Sequence, residues 1–165
     1  MSSILCIYYS RSGITAKLME HIAARLDCEC VALSDGVDRS GLFGWLRCGM
    51  DAMARKIPMV SAPDTALPLE EYDLVIIGTP VWAGRCSSPV RSFLLQFGEQ
   101  LKEAAYVITR GSDNRYEDVF DQMDLYVKTP HTKALTIRPN TVGCTFWQEE
   151  FLSSILNSGE EKQND

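Results

Sequence analysis

Apolar residues fall along the chain in two alternating patterns. Short, almost wholly apolar runs occur at Ser3 to Tyr9, Glu29 to Leu33, Tyr72 to Gly78, Ala104 to Thr109 and Lys133 to Ile137. Runs of that length without polar alternation predict strands covered on both faces. Between them the spacing becomes helical. Leu18, Ile22 and Leu26 fall at i, i+4 and i+8 with Met19 and Ala23 beside them, so Thr15 to Leu26 is predicted as an amphipathic helix. Pro89 to Leu101 is a second, with its proline near the first turn, where a missing N–H costs little. Glu117 to Tyr126 puts Val119, Phe120 and Met123 on one face, and Phe146 to Leu156 turns Phe151, Leu152 and Ile155 inward. Gly41 to Lys56 predicts one more helix, followed by a long connection that Pro58, Pro63 and Pro68 keep extended.

Strands alternating with helices in this way predict an α/β domain, a doubly wound five-stranded parallel sheet with helices on both faces. Residues 1–158 make that domain, and residues 159–165 a polar tail that is expected to fray from Ser158 onward. No repeat or linker divides the chain. Its 165 residues are enough for one core without staples.

Composition narrows the function classes. A formal charge of -6, from 16 basic and 22 acidic residues, argues against a nucleic-acid surface, which needs clustered Lys and Arg. It suits docking to basic partners. The start of the chain has no basic segment or cleavage site, and no apolar run approaches the ~20 residues of a membrane span, so a cytoplasmic protein is expected. The six cysteines are then expected to be thiols. Cys28 and Cys30 share one face of a strand, but no histidine or second pair supports a metal site, and small buried side chains are expected there.

Ligands of such sheets bind beyond the carboxyl ends of the strands. Three loops reach that edge: Ser10 to Thr15, Thr79 to Gly84 and Arg110 to Tyr116. The first, Ser10-Arg11-Ser12-Gly13-Ile14-Thr15, offers hydroxyls, a glycine and a helix start, the parts of a phosphate nest. A plain strand-to-helix turn with Thr15 as N-cap uses the same residues. The loop lacks the endings of a P-loop or a dinucleotide fingerprint. A low-molecular-weight phosphatase reading fails because Cys6 lies inside the strand, with Arg11 five positions on. A receiver-domain reading fails because Tyr9-Ser10 and Thr79-Pro80 stand where acidic residues are required.

The first strand with its Ser10 to Thr15 loop, followed by Tyr72-Asp73-Leu74-Val75-Ile76-Ile77-Gly78-Thr79-Pro80-Val81-Trp82-Ala83-Gly84, resembles the flavodoxin family over about Ile4 to Leu156. The resemblance implies strand order 2-1-3-4-5 and an FMN cofactor. It implies that Ser10, Arg11, Ser12, Gly13, Ile14 and Thr15 wrap the FMN phosphate. Pro80, Val81, Trp82, Ala83 and Gly84 would lie along the ring, with Trp82 as an aromatic wall. Thr109, Gly111 and Ser112 would border its other side, with Tyr116 able to stack on it. The implied activity is electron transfer between a reductase and an acceptor protein, with no catalytic side chain. An FMN-dependent NAD(P)H:quinone-type oxidoreductase and a binding or regulatory domain that has lost FMN are the alternatives.

Where many flavodoxins are acidic around the flavin, this chain has Arg85, Arg110 and Arg115. These predict a less negative potential for the last reduction step, unless they face solvent or pair with Asp113 and Glu117. Cys86 is expected to be an inert thiol rather than a redox group, and His21 and His131 to be surface residues. Phe43, Trp45 and Leu46 are expected to cover a sheet face rather than to meet a partner.

Overall fold

The computed structural model describes residues 3–34 and 68–161. The helix predicted over Gly41 to Lys56, its connection, and Phe43, Trp45 and Leu46 lie outside them. The described elements are β1 (Ile4–Tyr8), α1 (Ile14–Leu26), β2 (Glu29–Ala32), β3 (Leu74–Trp82), β4 (Arg85–Cys86), α2 (Ser88–Phe97), β5 (Ala104–Thr109), α3 (Asp118–Asp124), β6 (Lys133–Ile137) and α4 (Cys144–Glu161). The five long strands are parallel in the order β2-β1-β3-β5-β6, which is the expected 2-1-3-4-5. A sixth, two-residue strand, β4, pairs antiparallel with the end of β3.

Side-chain alternation on buried strands supplies two cores. Leu5, Ile7, Val75, Ile77, Tyr106 and Ile108 point to one face and meet Val90, Phe93 and Leu94 of α2 and Val119, Phe120 and Met123 of α3. Cys6, Tyr8, Leu74, Ile76, Ala105 and Val107 point to the other and meet Leu18, Met19 and Ile22 of α1 and Phe151, Leu152 and Ile155 of α4.

Some elements differ from the sequence expectation. β3 does not stop at Gly78 but continues through Trp82, with Pro80 opposite Thr109 of β5. Proline is tolerated there because β1 pairs with β3 only as far as Gly78, so beyond it a missing donor on that side breaks no ladder. α2 ends at Phe97 and a 3₁₀ turn, Gly98–Gln100, replaces its last turn. α4 begins at Cys144 and runs to Glu161, so the helix enters the expected tail, with the Ser158 hydroxyl donating to the Ser154 carbonyl. His131, expected at the surface, is half-buried. Its ring lies 5.1 Å from that of Tyr106 and 5.5 Å from that of Phe120, and Nδ1 sits 2.8 Å from the Asp124 carboxylate, because the loop before β6 folds back over α3. His21 is exposed, as expected.

Two buried acids give the core an alkaline limit. Burial pushes the Cys86 thiol from 9.0 up to about 11. Tyr106 is held well above the ordinary phenol range by burial and then by the Asp124 carboxylate. The folded chain keeps both protons where the unfolded chain releases them, so stability is complete below the unfolded values and declines as pH rises toward the folded ones. For Cys86 the decline spans pH 9.0 to about 11, and its full size is about 2 to 3 kcal/mol. Urea midpoints of the wild type and Cys86→Ala at about pH 8 and about pH 10.5 check this. The loss with pH should be smaller in the variant, and equal losses contradict the assignment.

Candidate functional site

β1, β3 and β5 lie side by side and parallel, so the segments after them emerge at one edge of the sheet. The chain order reverses between β1 and β3, where folds of this kind open a crevice.

The first segment turns sharply. Gly13 takes φ 85°, and its N–H donates to Ser10 Oγ at 3.1 Å, which closes the loop into the start of α1. Gly13, not Thr15, is therefore the N-cap residue. Thr15 lies inside the first turn, 1% exposed, with Oγ1 2.8 Å from Thr109 Oγ1. The helix start leaves the amides of Ile14, Thr15 and Ala16 without an intrahelical acceptor, and none is found among the described residues. Ser12 and Arg11 are exposed beside them. The Thr15–Thr109 bridge ties the start of α1 to the end of β5, and both residues are buried. Thr109→Val should cost about 1 to 3 kcal/mol, because Thr15 Oγ1 loses its partner in a dry site. Thr15→Val combined with it should recover part of that loss in urea unfolding. A double variant as unstable as the sum of the singles would contradict the bridge.

The second segment is a hairpin rather than a loop. Val81 pairs with Cys86 and Trp82 with Arg85 across a two-residue turn, Ala83 at φ 48° and Gly84 at φ 71°. Positive φ at both positions matches the twist that tight hairpins need. Its base is fixed by Thr79, whose hydroxyl accepts the Ser87 amide at 2.9 Å and lies 3.0 Å from Ser87 Oγ. Trp82, expected as an aromatic wall along the ring, lies in the core at the base of the hairpin turn. It is 7% exposed and packs edge-on against Tyr9 at 5.4 Å in the α2-side core, although alternation from Val75 and Ile77 gives that face to Val81, which also packs there. Pro80 and Val81 are half-buried, while Ala83 is exposed at the tip. Gln122 of α3 donates to the Gly84 carbonyl at 3.2 Å and steadies the turn. No sequence signal marked Gln122 or the Thr79–Ser87 pair, since both depend on how the hairpin seats against its neighbours.

The third segment is stapled to β6. The Arg110 guanidinium donates to Thr136 Oγ1 at 3.2 Å and to the Ser112 carbonyl at 2.6 Å, and Thr136 Oγ1 in turn donates to the Arg115 carbonyl. Tyr116 takes φ 52°, with its N–H on Asn114 Oδ1 and its hydroxyl accepting from Ser112 Oγ at 3.1 Å. Arg115 pairs with Glu117 at 2.9 Å and lies over Trp147 of α4, 5.8 Å from the ring centre. Asp113 pairs with Arg138 rather than with Arg110 or Arg115. Gly111 remains exposed at the tip.

The three segments share one property. A Cβ built on Gly13, Gly84 or Gly111 would meet nothing within 4 Å, so each loop faces open space. The arrangement can take an anion at the start of α1 and leaves room beside the β3–β4 hairpin and the Arg110–Tyr116 loop. Cys86, by contrast, is 3% exposed beneath the hairpin, and burial keeps its thiol protonated. A groove of about 710 Å³ lies between α3, β6 and α4, and Arg115 of the third segment is part of its lining.

Comparison with solved structures defines the class: the chain has the flavodoxin-like fold. A flavoprotein from Lactobacillus acidophilus NCFM, solved in complex with FMN, is 22% identical over 82% of this chain and 93% of its own, with a TM-score of 0.67. Oxidised flavodoxin 2 from Bacillus cereus is 14% identical over 95% of this chain and 99% of its own, with a TM-score of 0.56. The apo form of an NADH:FMN oxidoreductase is 16% identical over 93% of this chain and 90% of its own, with a TM-score of 0.50. No family model and no curated protein sequence matches the chain.

Proposed function

We propose that this protein binds FMN at the carboxyl edge of β1, β3 and β5 and carries electrons between a reductase and an acceptor protein. The observation that carries the reading is the start of α1. The unpaired amides of Ile14, Thr15 and Ala16, the Ser10 and Ser12 hydroxyls and the open space over Gly13 fit a phosphate. The ring would lie beside Pro80, Val81, Ala83 and Gly84 on one side, and beside Thr109, Gly111, Ser112 and Tyr116 on the other. Trp82 would act from beneath, holding the hairpin against Tyr9. Arg11 would add charge at the phosphate.

Bound FMN would supply one- and two-electron chemistry, and the chain's own residues would orient it and set its potential. Arg115 is held by Glu117 and Trp147. That leaves Arg85, beside the hairpin turn, and Arg110, at the end of β5, to oppose the negative charge of the reduced ring. A cytoplasmic setting and basic redox partners belong to the same reading, the latter from the net charge of -6. No helix among the described residues is long and apolar enough to cross a membrane.

The likeness to an NADH:FMN oxidoreductase supports a second reading, a self-sufficient NAD(P)H-dependent reductase. Steady-state oxidation of NADPH by the FMN-loaded protein with a quinone separates the two. The carrier reading expects turnover only when a flavodoxin reductase is added, and turnover without one would replace it with the enzyme.

A further inference from the structure

The face of the sheet under α1 holds a group of thiols that electron transfer at the opposite loops does not use. Cys6 lies in the middle of β1, fully buried, with its Sγ 3.7 Å from Cys28 Sγ. Cys30 of β2 stands directly opposite Cys6 in the parallel register. Cys28 sits where α1 ends, just before β2. Asp27 takes φ 50° there, and the Cys28 amide donates to the Ala23 carbonyl, so the turn presents Cys28 at the rim of the core. Cys28 and Cys30 are both half-buried, and each is reachable from solvent in a way that Cys6 is not.

We propose that Cys28 and Cys6 form a reversible dithiol–disulfide site, with Cys28 as the attacking thiol, Cys6 as the resolving one and a low-molecular-weight disulfide as the oxidant. The first step exchanges Cys28 thiolate for one sulfur of the small disulfide and releases one small thiolate. In the second, Cys6 sulfur attacks Cys28 Sγ, the second small thiol leaves, and the Cys6 proton passes to it. Two protein thiols and one small disulfide thus give one protein disulfide and two small thiols, and the electron pair ends on the small molecules.

Three features select this pair. The sulfurs already touch, and closing from 3.7 Å to the ~2 Å of a bond is within reach of a side-chain rotation at a turn residue. Cys6 Sγ and Cys28 Sγ lie in hydrogen-bond contact, with Cys28 at the turn that can bring the two sulfurs together, and the Cys6 neighbour lowers the Cys28 thiol as it does that of Cys30. Its hydrogen-bonded thiol neighbours and then burial hold Cys6 protonated, so the order of attack runs from the rim inward. The product would stitch the end of α1 to β1, the strand that delivers Ser10 and Gly13 to the ligand edge. Such a bond suits a reducing compartment only as a transient state.

Oxidised glutathione added to the folded, previously reduced protein, followed by alkylation and non-reducing tryptic mapping, tests the site. The wild type and Cys30→Ser should link peptide 1–11 to peptide 26–39, reversibly with dithiothreitol, and Cys28→Ser should not. Cys86 and Cys144 peptides serve as internal controls. The link should form at least about tenfold faster in the folded protein than in denaturant, because the fold sets the sulfurs together. A Cys28–Cys30 bond, mixed disulfides with glutathione alone, no reaction, or equal rates in denaturant would each overturn the proposal.

Discussion

Gly98→Ala is expected to lower the unfolding free energy by about 3 kcal/mol, at the upper end of what overpacking a core costs. Gly98 follows α2 and is buried, and a Cβ there would run into the carbonyl oxygen of Tyr126, with the Tyr126 carbonyl carbon 3.0 Å away and Val127 Cγ1 3.4 Å away. The obstacle is main chain, so no rotamer change relieves it. Tyr126 lies in the turn where its amide bonds the Met123 carbonyl, between α3 and the loop that sets His131 on Asp124. Moving that turn would disturb α3 and, through Gln122, the hairpin tip at Gly84. Urea unfolding and hydrogen exchange of residues 118–132 report both effects. A variant within about 0.5 kcal/mol of the wild type would show that the two segments are not in contact.

Gly13→Val should weaken FMN binding about 10- to 100-fold. Gly13 holds φ 85°, a region that a β-branched residue enters only at a cost of about 1 to 3 kcal/mol, and each 1.4 kcal/mol is a factor of about ten. The strain is relieved by rotating the Gly13 backbone, which breaks its bond to Ser10 Oγ and re-aims the amides that follow. A Cβ there meets nothing within 4 Å, so the loss is one of backbone geometry rather than of packing. Flavin titration of the variant, with its circular dichroism compared to the wild type, separates loss of the loop from loss of the fold. Unchanged affinity would place the phosphate elsewhere.

Most of the sheet was legible because its signal is local. β1, β2, β5 and β6 each lie within a residue of the apolar runs that predicted them, and α1 follows from Leu18, Ile22 and Leu26. Thr79 to Gly84 was misread for a specific reason. Thr-Pro followed by small residues looks like a loop, whereas the missing N–H of Pro80 falls where β1 has already ended. With the strand extended into a hairpin, Trp82 comes to lie on Tyr9 in the α2-side core, a placement that the spacing of the run does not show. The Ser10 to Thr15 segment was readable as a helix start from its composition, but the capping residue was not. A positive φ at Gly13 starts α1 one residue before Thr15 and frees Thr15 for Thr109, a partner 94 positions away. The same limit applies to the thiols: a shared face for Cys28 and Cys30 follows from their spacing, but only the β1–β2 register brings Cys6 to them.

Titration of the purified, flavin-free protein with FMN and, separately, with riboflavin tests the central claim most directly. A phosphate held by the amides of Ile14, Thr15 and Ala16 predicts saturable binding of one FMN per chain and much weaker binding of riboflavin, which has the ring but not the phosphate. No binding of FMN, or equal affinity for the two flavins, would contradict it.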